Sequence, residues 1–224
     1  MTASLFFWFF AANSTEKKER KRMKEKRKDG GGSVGSAPLE KPLKLVGVVG
    51  SRTLHHEYSR LVGDITQDLI ARQYHIATGG AIGCDEFVIE QLLRKGLCHH
   101  CSVYAAWQNY AGFPIKVRAM MRQFKAYNGH ILWGAVAKND TQHLIKMGLL
   151  IRNRRLVDAC YGLIAFIDSQ SRGSIYTIKQ ATEKRLTVVV FPINCELPDI
   201  DYVKWVPLKC GGIWDGSFKA VYLK

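Results

Sequence analysis

No apolar stretch of this sequence is long enough to cross a bilayer. Its opening run, Leu5-Phe6-Phe7-Trp8-Phe9-Phe10-Ala11-Ala12, has eight residues, against the roughly 20 that a membrane helix requires. A secretory leader is not recognisable either. Leaders carry positive charge ahead of the apolar run and a small-residue cleavage site behind it, whereas residues 1–14 have no charged side chain and the charge comes afterwards. Without an export signal, Cys84, Cys98, Cys101, Cys160, Cys195 and Cys210 read as reduced thiols of a cytoplasmic protein. A zinc site lacks its second half. Cys98-His99-His100-Cys101 has no further C-x-x-C or H-x₃-H to complete it, and a tight helix-to-strand connection cannot aim four neighbours at one ion. No metal and no cofactor are expected. The Walker loop G-x-x-x-x-G-K-[ST] does not occur, and the loop after the first expected strand is not G-x-G-x-x-G.

What is present is an ordinary composition of 224 residues, 47% hydrophobic and 23% charged, enough for one well-buried core with appendages. The formal charge is +14; residues 15–29 hold nine Lys/Arg and four Asp/Glu, a net +5, which leaves +9 elsewhere. A polyanionic partner is therefore to be considered, since charge of this kind governs association and not fold. Residues 1–42 divide into the apolar start, a mixed-charge segment at 16–28 with almost no apolar face, and the linker Gly30-Gly31-Gly32-Ser33-Val34-Gly35-Ser36-Ala37-Pro38. All three are expected to be disordered. Aromatics beside a basic run would suit an interfacial membrane anchor, but nothing beyond this short run supports one, so membrane contact is not expected.

From about residue 43 the periodicity alternates. Leu45-Val46-Gly47-Val48-Val49, His75-Ile76-Ala77, Ser102-Val103-Tyr104-Ala105, Leu163-Ile164-Ala165-Phe166-Ile167 and Thr187-Val188-Val189-Val190-Phe191 are short apolar runs, the mark of strands buried on both faces. Tyr58, Leu61, Val62, Ile65, Leu69 and Ile70 recur at helical spacing, as do Phe87, Val88, Leu92 and Leu93, and a further helix fits residues 175–184. Strands alternating with helices imply an α/β, Rossmann-like three-layer sandwich with a mostly parallel sheet, spanning residues 43–193. Residues 108–147 break the alternation and read as a helical insertion rich in basic and aromatic residues; residues 194–224 read as an extension with a short hairpin.

Four segments carry chemistry, each next to an expected strand. Gly50-Ser51-Arg52 offers close backbone approach and a hydroxyl donor. Thr78-Gly79-Gly80-Ala81-Ile82-Gly83-Cys84-Asp85 places three glycines where a phosphate or sugar could approach, with Asp85 suited to capping the next helix. Arg152-Asn153-Arg154-Arg155, expected to open a helix, supplies planar guanidinium forks for phosphate. Asp168-Ser169-Gln170-Ser171-Arg172-Gly173-Ser174-Ile175-Tyr176-Thr177 enters a helix, and its Ser171, Gly173 and Ser174 suit an anion nest at the helix N-terminus, although Ser174 is equally fit as a plain N-cap. Ligands on such sheets bind at strand carboxyl ends where strand order reverses.

In this order the four elements resemble the SLOG superfamily: the Rossmann-like domain of DprA/Smf DNA-processing proteins, the "lonely guy" phosphoribohydrolases, and small YspA-like proteins. The resemblance covers residues 45–192. Gly79-Gly80-Ala81-Ile82-Gly83-Cys84-Asp85 resembles its G-G-A-x-G-x-D form, Val103-Tyr104-Ala105-Ala106-Trp107 with Gly112 the YspA-like branch, Arg152-Asn153-Arg154 the R-N-R of DprA-like proteins, and Ser171-Arg172-Gly173-Ser174 with Thr177 the pattern S-R-G-[ST]-x-x-T. The departures matter as much. The hydrolases carry P-G-G-x-G-T-x-x-E, and Thr177 stands where that glutamate would be. N-glycosidic hydrolysis needs a carboxylate, which leaves Asp85 and Glu86 as weak catalytic candidates. No winged-helix module is expected after the domain, residues 194–224 being too short and turn-rich for one.

The resemblance and the charge together imply a module that binds a nucleotide or single-stranded nucleic acid through its phosphates, in a DprA-like DNA-processing or nucleotide-sensing role. The expected ligand-binding residues are Gly50, Ser51, Arg52, Gly79, Gly80, Gly83, Asp85, Arg152, Asn153, Arg154, Ser171, Arg172, Gly173, Ser174 and Thr177. A nucleoside-monophosphate phosphoribohydrolase is the alternative. Edge strands and the insertion leave a homodimer open.

Overall fold

A computed structural model describes residues 44–223; the expectations for residues 1–42 lie outside the described residues. Residues 44–223 fall within a single unit. The apolar runs form strands, whose ladders satisfy the backbone of segments buried on both faces. In chain order the strands are β1 (Leu45–Gly50), β2 (His75–Thr78), β3 (Cys101–Tyr104), β4 (His130–Leu132), β5 (Gly162–Ile167), β6 (Thr187–Pro192), β7 (Val203–Pro207) and β8 (Phe218–Tyr222). The helices are α1 (Ser59–Ala71), α2 (Cys84–Lys95), α3 (Ile115–Ala126), α4 (Gln142–Ala159) and α5 (Arg172–Glu183).

One eight-stranded sheet runs β4-β3-β2-β1-β5-β6-β8-β7. The first six strands are parallel, with Val46 opposite both Ile76 and Gly162, and Gly162 opposite Thr187. β8 then pairs antiparallel to both β6 and β7. Alternate residues point to opposite faces. On one face Val49, Ala77, Leu163, Ala165, Val188 and Val190 pack with Leu156 and Val157 of α4 and with Ile178 and Ala181 of α5. Helices α1 to α3 pack together as neighbours, α1 against β2 and α2 against β1. The result is the α/β, Rossmann-like, mostly parallel sandwich expected from the periodicity.

Two segments extend that expectation. Within residues 108–147 lies helical structure, α3, but also β4, which pairs parallel to β3 and continues the alternation. Its three residues are half-buried at best, so no apolar run marks it. Helix α4 starts at Gln142, where the Thr141 side chain caps the Leu144 N–H at 3.4 Å. Arg152 therefore lies mid-helix and does not open one. Residues 194–223 do hold a hairpin, and β8 joins it to the main sheet beside β6. Among the described residues, no helix is long and apolar enough to cross a membrane, and all six cysteines are free.

Candidate nucleic-acid interface

After β1 the chain proceeds through β2, β3 and β4; after β5 it proceeds to β6 on the other side. Adjacent strands whose connections diverge leave a crevice at their carboxyl ends. A cavity of about 610 Å³ lies at that point.

Its floor is tied together by short side chains. Ser51, directly after β1, donates its N–H to the Phe166 carbonyl at 2.9 Å and accepts the Cys84 N–H on its own carbonyl at 3.0 Å. Its hydroxyl accepts the Thr53 N–H at 3.1 Å, and Thr53 Oγ1 donates to Asp168 Oδ2 at 2.8 Å. Asp168, after β5, accepts the Gln170 N–H at 3.0 Å and the Ser171 hydroxyl at 3.0 Å. Partial burial pushes the Asp168 carboxyl up, but the hydrogen bonds from Ser51, Thr53, Gln170 and Ser171 outweigh it and hold the group below its ordinary value. The β1 and β5 loops are thus locked to each other.

The deepest wall is a buried ion pair. Arg152 reaches from α4 to Asp85 of α2, with Nη1 3.5 Å from Oδ2 and both side chains more than nine-tenths buried. Asp85 Oδ2 also accepts the Ala81 N–H at 3.1 Å. Burial raises the Asp85 carboxyl, opposed by the charge of Arg152 and the Ala81 bond. Burial likewise lowers the Arg152 guanidinium, opposed by Asp85. Arg152 Nε is buried with no hydrogen-bond partner, a donor left over where burial without a partner costs about 1–3 kcal/mol.

The glycines divide by what surrounds them. A Cβ at Gly50 would strike the Phe166 carbonyl and Cys84, one at Gly79 the Arg152 guanidinium, and one at Gly83, whose φ is +77°, the Ser51 carbonyl. Protein packing alone requires these three. Gly80, φ +69°, faces Val103 and Phe113. Gly173 differs, since a Cβ there meets nothing within 4 Å. It lies in the first turn of α5, where helical N–H groups lack intrahelical acceptors and favour an anion.

Of the expected residues, the cavity brings together Gly50, Ser51, Arg52, Asp85, Arg152, Asn153, Ser171, Arg172, Gly173, Ser174 and Thr177. Gly79, Gly80 and Gly83 shape the loop beneath it without lining it. Arg154 is exposed and outside it. Glu86 is buried away from it, accepting the Gly83 N–H at 3.2 Å and pairing with Lys116 at 2.8 Å. Neither proposed N-cap holds as such. Gly83 and Ser171 occupy the N-cap positions of α2 and α5, while Asp85 and Ser174 sit two and three residues further in. Thr53 and Lys146, which no candidate loop contained, also line the cavity, as do Gln170 and Tyr176, which the loop after β5 contained without their being singled out. Lys146 lies on α4 six residues before Arg152, and the Thr141 cap was the local sign that the helix reached back so far.

Further concavities among the described residues include a groove and a cleft. The groove, of about 690 Å³ between α1 and α2, is lined by charges of both signs, partly satisfied by the Arg60–Asp64 pair and by a hydrogen bond from Arg94 to the Gln91 amide oxygen. It lies away from the strand carboxyl ends. A cleft of about 490 Å³ flanks α4 on the side of Trp133.

A mostly parallel sheet with these loops gathered at its β1–β5 crevice is a Rossmann-like α/β domain. The family model described as DNA recombination-mediator protein A matches residues 33–201, and the chain belongs to that DprA/Smf-like family. No curated protein matches it. Among solved structures, DNA processing protein A of Helicobacter pylori, described by its single-stranded DNA binding mode, superposes with a TM-score of 0.54 at 24% identity, over 68% of this chain and 66% of that one. DNA processing protein A of Streptococcus pneumoniae gives 0.54 and 24%, over 70% of this chain and 52% of that one. The match spans less than two thirds of either relative.

Proposed function

We propose that this chain binds single-stranded DNA by its phosphates in the β1–β5 cavity, in a DNA-processing role. The observation that carries the reading is the meeting, in one crevice, of the exposed cations Arg52, Lys146 and Arg172, the buried Arg152 with its unused Nε, and the α5 N-terminus opened by Gly173. Each is a phosphate-binding device by its chemistry. The choice of a strand over a free nucleotide draws on the family and on the H. pylori relative, which is described as binding single-stranded DNA. The strand also fits the net positive charge.

The hydrolase reading is less well supported. Asp85, on the cavity wall, is committed to Arg152 and Ala81; Glu86 is committed to Gly83 and Lys116. Thr177 Oγ1 donates to the Gly173 carbonyl at 2.9 Å and offers no ionised group.

The test is fluorescence anisotropy of a labelled single-stranded oligonucleotide against the purified chain, at several salt concentrations and with nucleoside monophosphate as competitor. Binding should weaken steeply with salt and resist mononucleotide. Salt-insensitive binding displaced by free mononucleotide would replace the strand by a nucleotide. Release of free base from a monophosphate would restore the hydrolase.

A further inference from the structure

We infer that the cleft flanking α4 is a base-accepting subsite, taking an unpaired nucleobase from the strand whose phosphates occupy the β1–β5 cavity. The inference rests on that phosphate reading and adds a second contact surface to it.

Helix α4 is apolar on two flanks. Leu156 and Val157 face the core, which folding explains. Leu144, Met147 and Ile151, spaced i, i+3, i+7, remain 51%, 43% and 55% exposed, which folding does not explain. Leaving such side chains in water forgoes roughly 25 cal/mol for each Å² that an occupant could cover. All three line the one cleft, together with Trp133 and the small Ala106 at the end of β3.

Trp133 is an aromatic wall held in place beforehand. Tyr110 meets its ring edge-on, with centroids 4.9 Å apart at 84°, and Phe113 lies at 6.0 Å. The Trp133 carbonyl accepts a hydrogen bond from Arg155 Nη1 at 3.1 Å. The ring is only partly buried and lines the cleft. A fixed indole opposite aliphatic side chains suits a flat, apolar-faced ring, because every base presents a π-face to stack.

Continuity selects a base over another occupant. Arg152 lines both the β1–β5 cavity and this cleft, and α4 is the ridge between them, with Lys146, Leu149 and Asn153 on one side and Met147 and Ile151 on the other. A strand lying across that ridge carries its phosphates into the cationic cavity and turns a base into the apolar one. Of the cleft's two charged rim residues besides Arg152, Asp140 is engaged by the Ala137 N–H at 2.8 Å, and Arg155 supplies the cation for a polyanion.

The experiment uses the full chain and two labelled oligomers of equal length, one of ordinary single-stranded DNA and one wholly abasic. Wild type should bind the base-bearing oligomer about 10-fold or more tightly than the abasic one, the order expected of base stacking on an aromatic ring. Trp133→Ala should bring that ratio towards one without changing the salt dependence, which counts phosphates. Because Trp133 also packs on Tyr110 and Phe113, Ile151→Gln, at an exposed position, serves as the second variant and should lower the ratio with an unchanged circular dichroism spectrum. Equal affinity of the wild type for both oligomers overturns the subsite while leaving the phosphate site standing. A ratio untouched by both variants overturns it too, and assigns the apolar stripe to a protein partner. Failure of the wild type to bind either oligomer overturns the phosphate reading and this one with it.

Discussion

The guanidinium of Arg152 occupies the space that a side chain at Gly79 would need: a Cβ built on Gly79 overlaps Nη1. Gly79 follows β2 and Arg152 lies mid-way along α4, so this packing joins the loop beneath the cavity to the helix at its side. Gly79→Ala should therefore expel the guanidinium and leave Asp85 buried without its counter-charge. Breaking one half of a buried pair costs about 3–5 kcal/mol. Urea denaturation should show a loss of that order, together with loss of DNA binding.

The same pair makes a second prediction. Arg152→Met should destabilise the fold strongly by leaving the Asp85 carboxylate buried without its counter-charge, and Asp85→Asn should do so as well by orphaning the buried Arg152 guanidinium. The double variant should be more stable than Arg152→Met alone, since it removes the orphaned charge. A double variant at least as unstable as the sum of the two would show that the ion pair is not the coupling.

Arg52 and Arg172 are exposed and line the cavity; Arg154 is exposed and does not. Alanine at either of the first two should weaken oligonucleotide binding and reduce the slope of log affinity against log salt by about 0.7 for each phosphate no longer neutralised. Arg154→Ala should leave both nearly unchanged. Anisotropy titrations from about 50 to 300 mM salt, roughly the range in which such charge pairing is screened, separate the three.

Gly173→Ala divides stability from binding. Beyond its chain neighbours and the backbone of its own helix, no protein atom lies within 4 Å of the added Cβ, and alanine is favoured over glycine in a helix by up to about 1 kcal/mol. The variant should be as stable as wild type or more so, and bind DNA less well because the methyl group stands where a phosphate would come. Unchanged affinity would remove Gly173 from the site.

His75 sets a pH dependence at the far end of the sheet. Burial lowers its pKa to about 4 from 6.5, helped by the like charges of His130, His100 and His99, and its Nε2 lies 2.9 Å from Ser102 Oγ. Between those two values the unfolded chain binds more protons than the folded one, so stability rises with pH there. It should be full above about pH 6.5 and fall as the pH drops towards 4. Thermal melts across that range should show the fall, and His75→Gln should flatten it.

Much of this architecture was legible because parallel strands buried on both faces must be continuous apolar runs. β1, β2, β3, β5 and β6 all announce themselves in that way. β4 does not, since His130-Ile131-Leu132 sits at the sheet margin half in solvent and needs no apolar run. Helix α4 was hard to delimit for the opposite reason: it is apolar on two flanks, so no single 3.6-residue stripe stands out. At the site, Ser51, Arg52 and Arg172 could be read from their place after a strand. The partner of Arg152 could not, because nothing local links it to Asp85. The glycines were legible as necessary but not as to why. Gly50, Gly79 and Gly83 yield to neighbouring protein atoms, and only Gly173 yields to open space.

The hairpin of β7 and β8 lies beyond the family match, which ends at residue 201, yet β8 covers the outer edge of β6. β6 is five-sixths buried and reads Thr-Val-Val-Val-Phe-Pro; uncovered, it would be a β-branched edge ready to recruit a strand from another molecule. β7, which takes over as the margin, carries Lys204 and ends on Pro207, side chains that discourage such pairing. A version of the chain trimmed to the family boundary would keep every residue of the cavity and lose the guard on its sheet. It should form aggregates or strand-exchanged oligomers even though the cavity itself is intact.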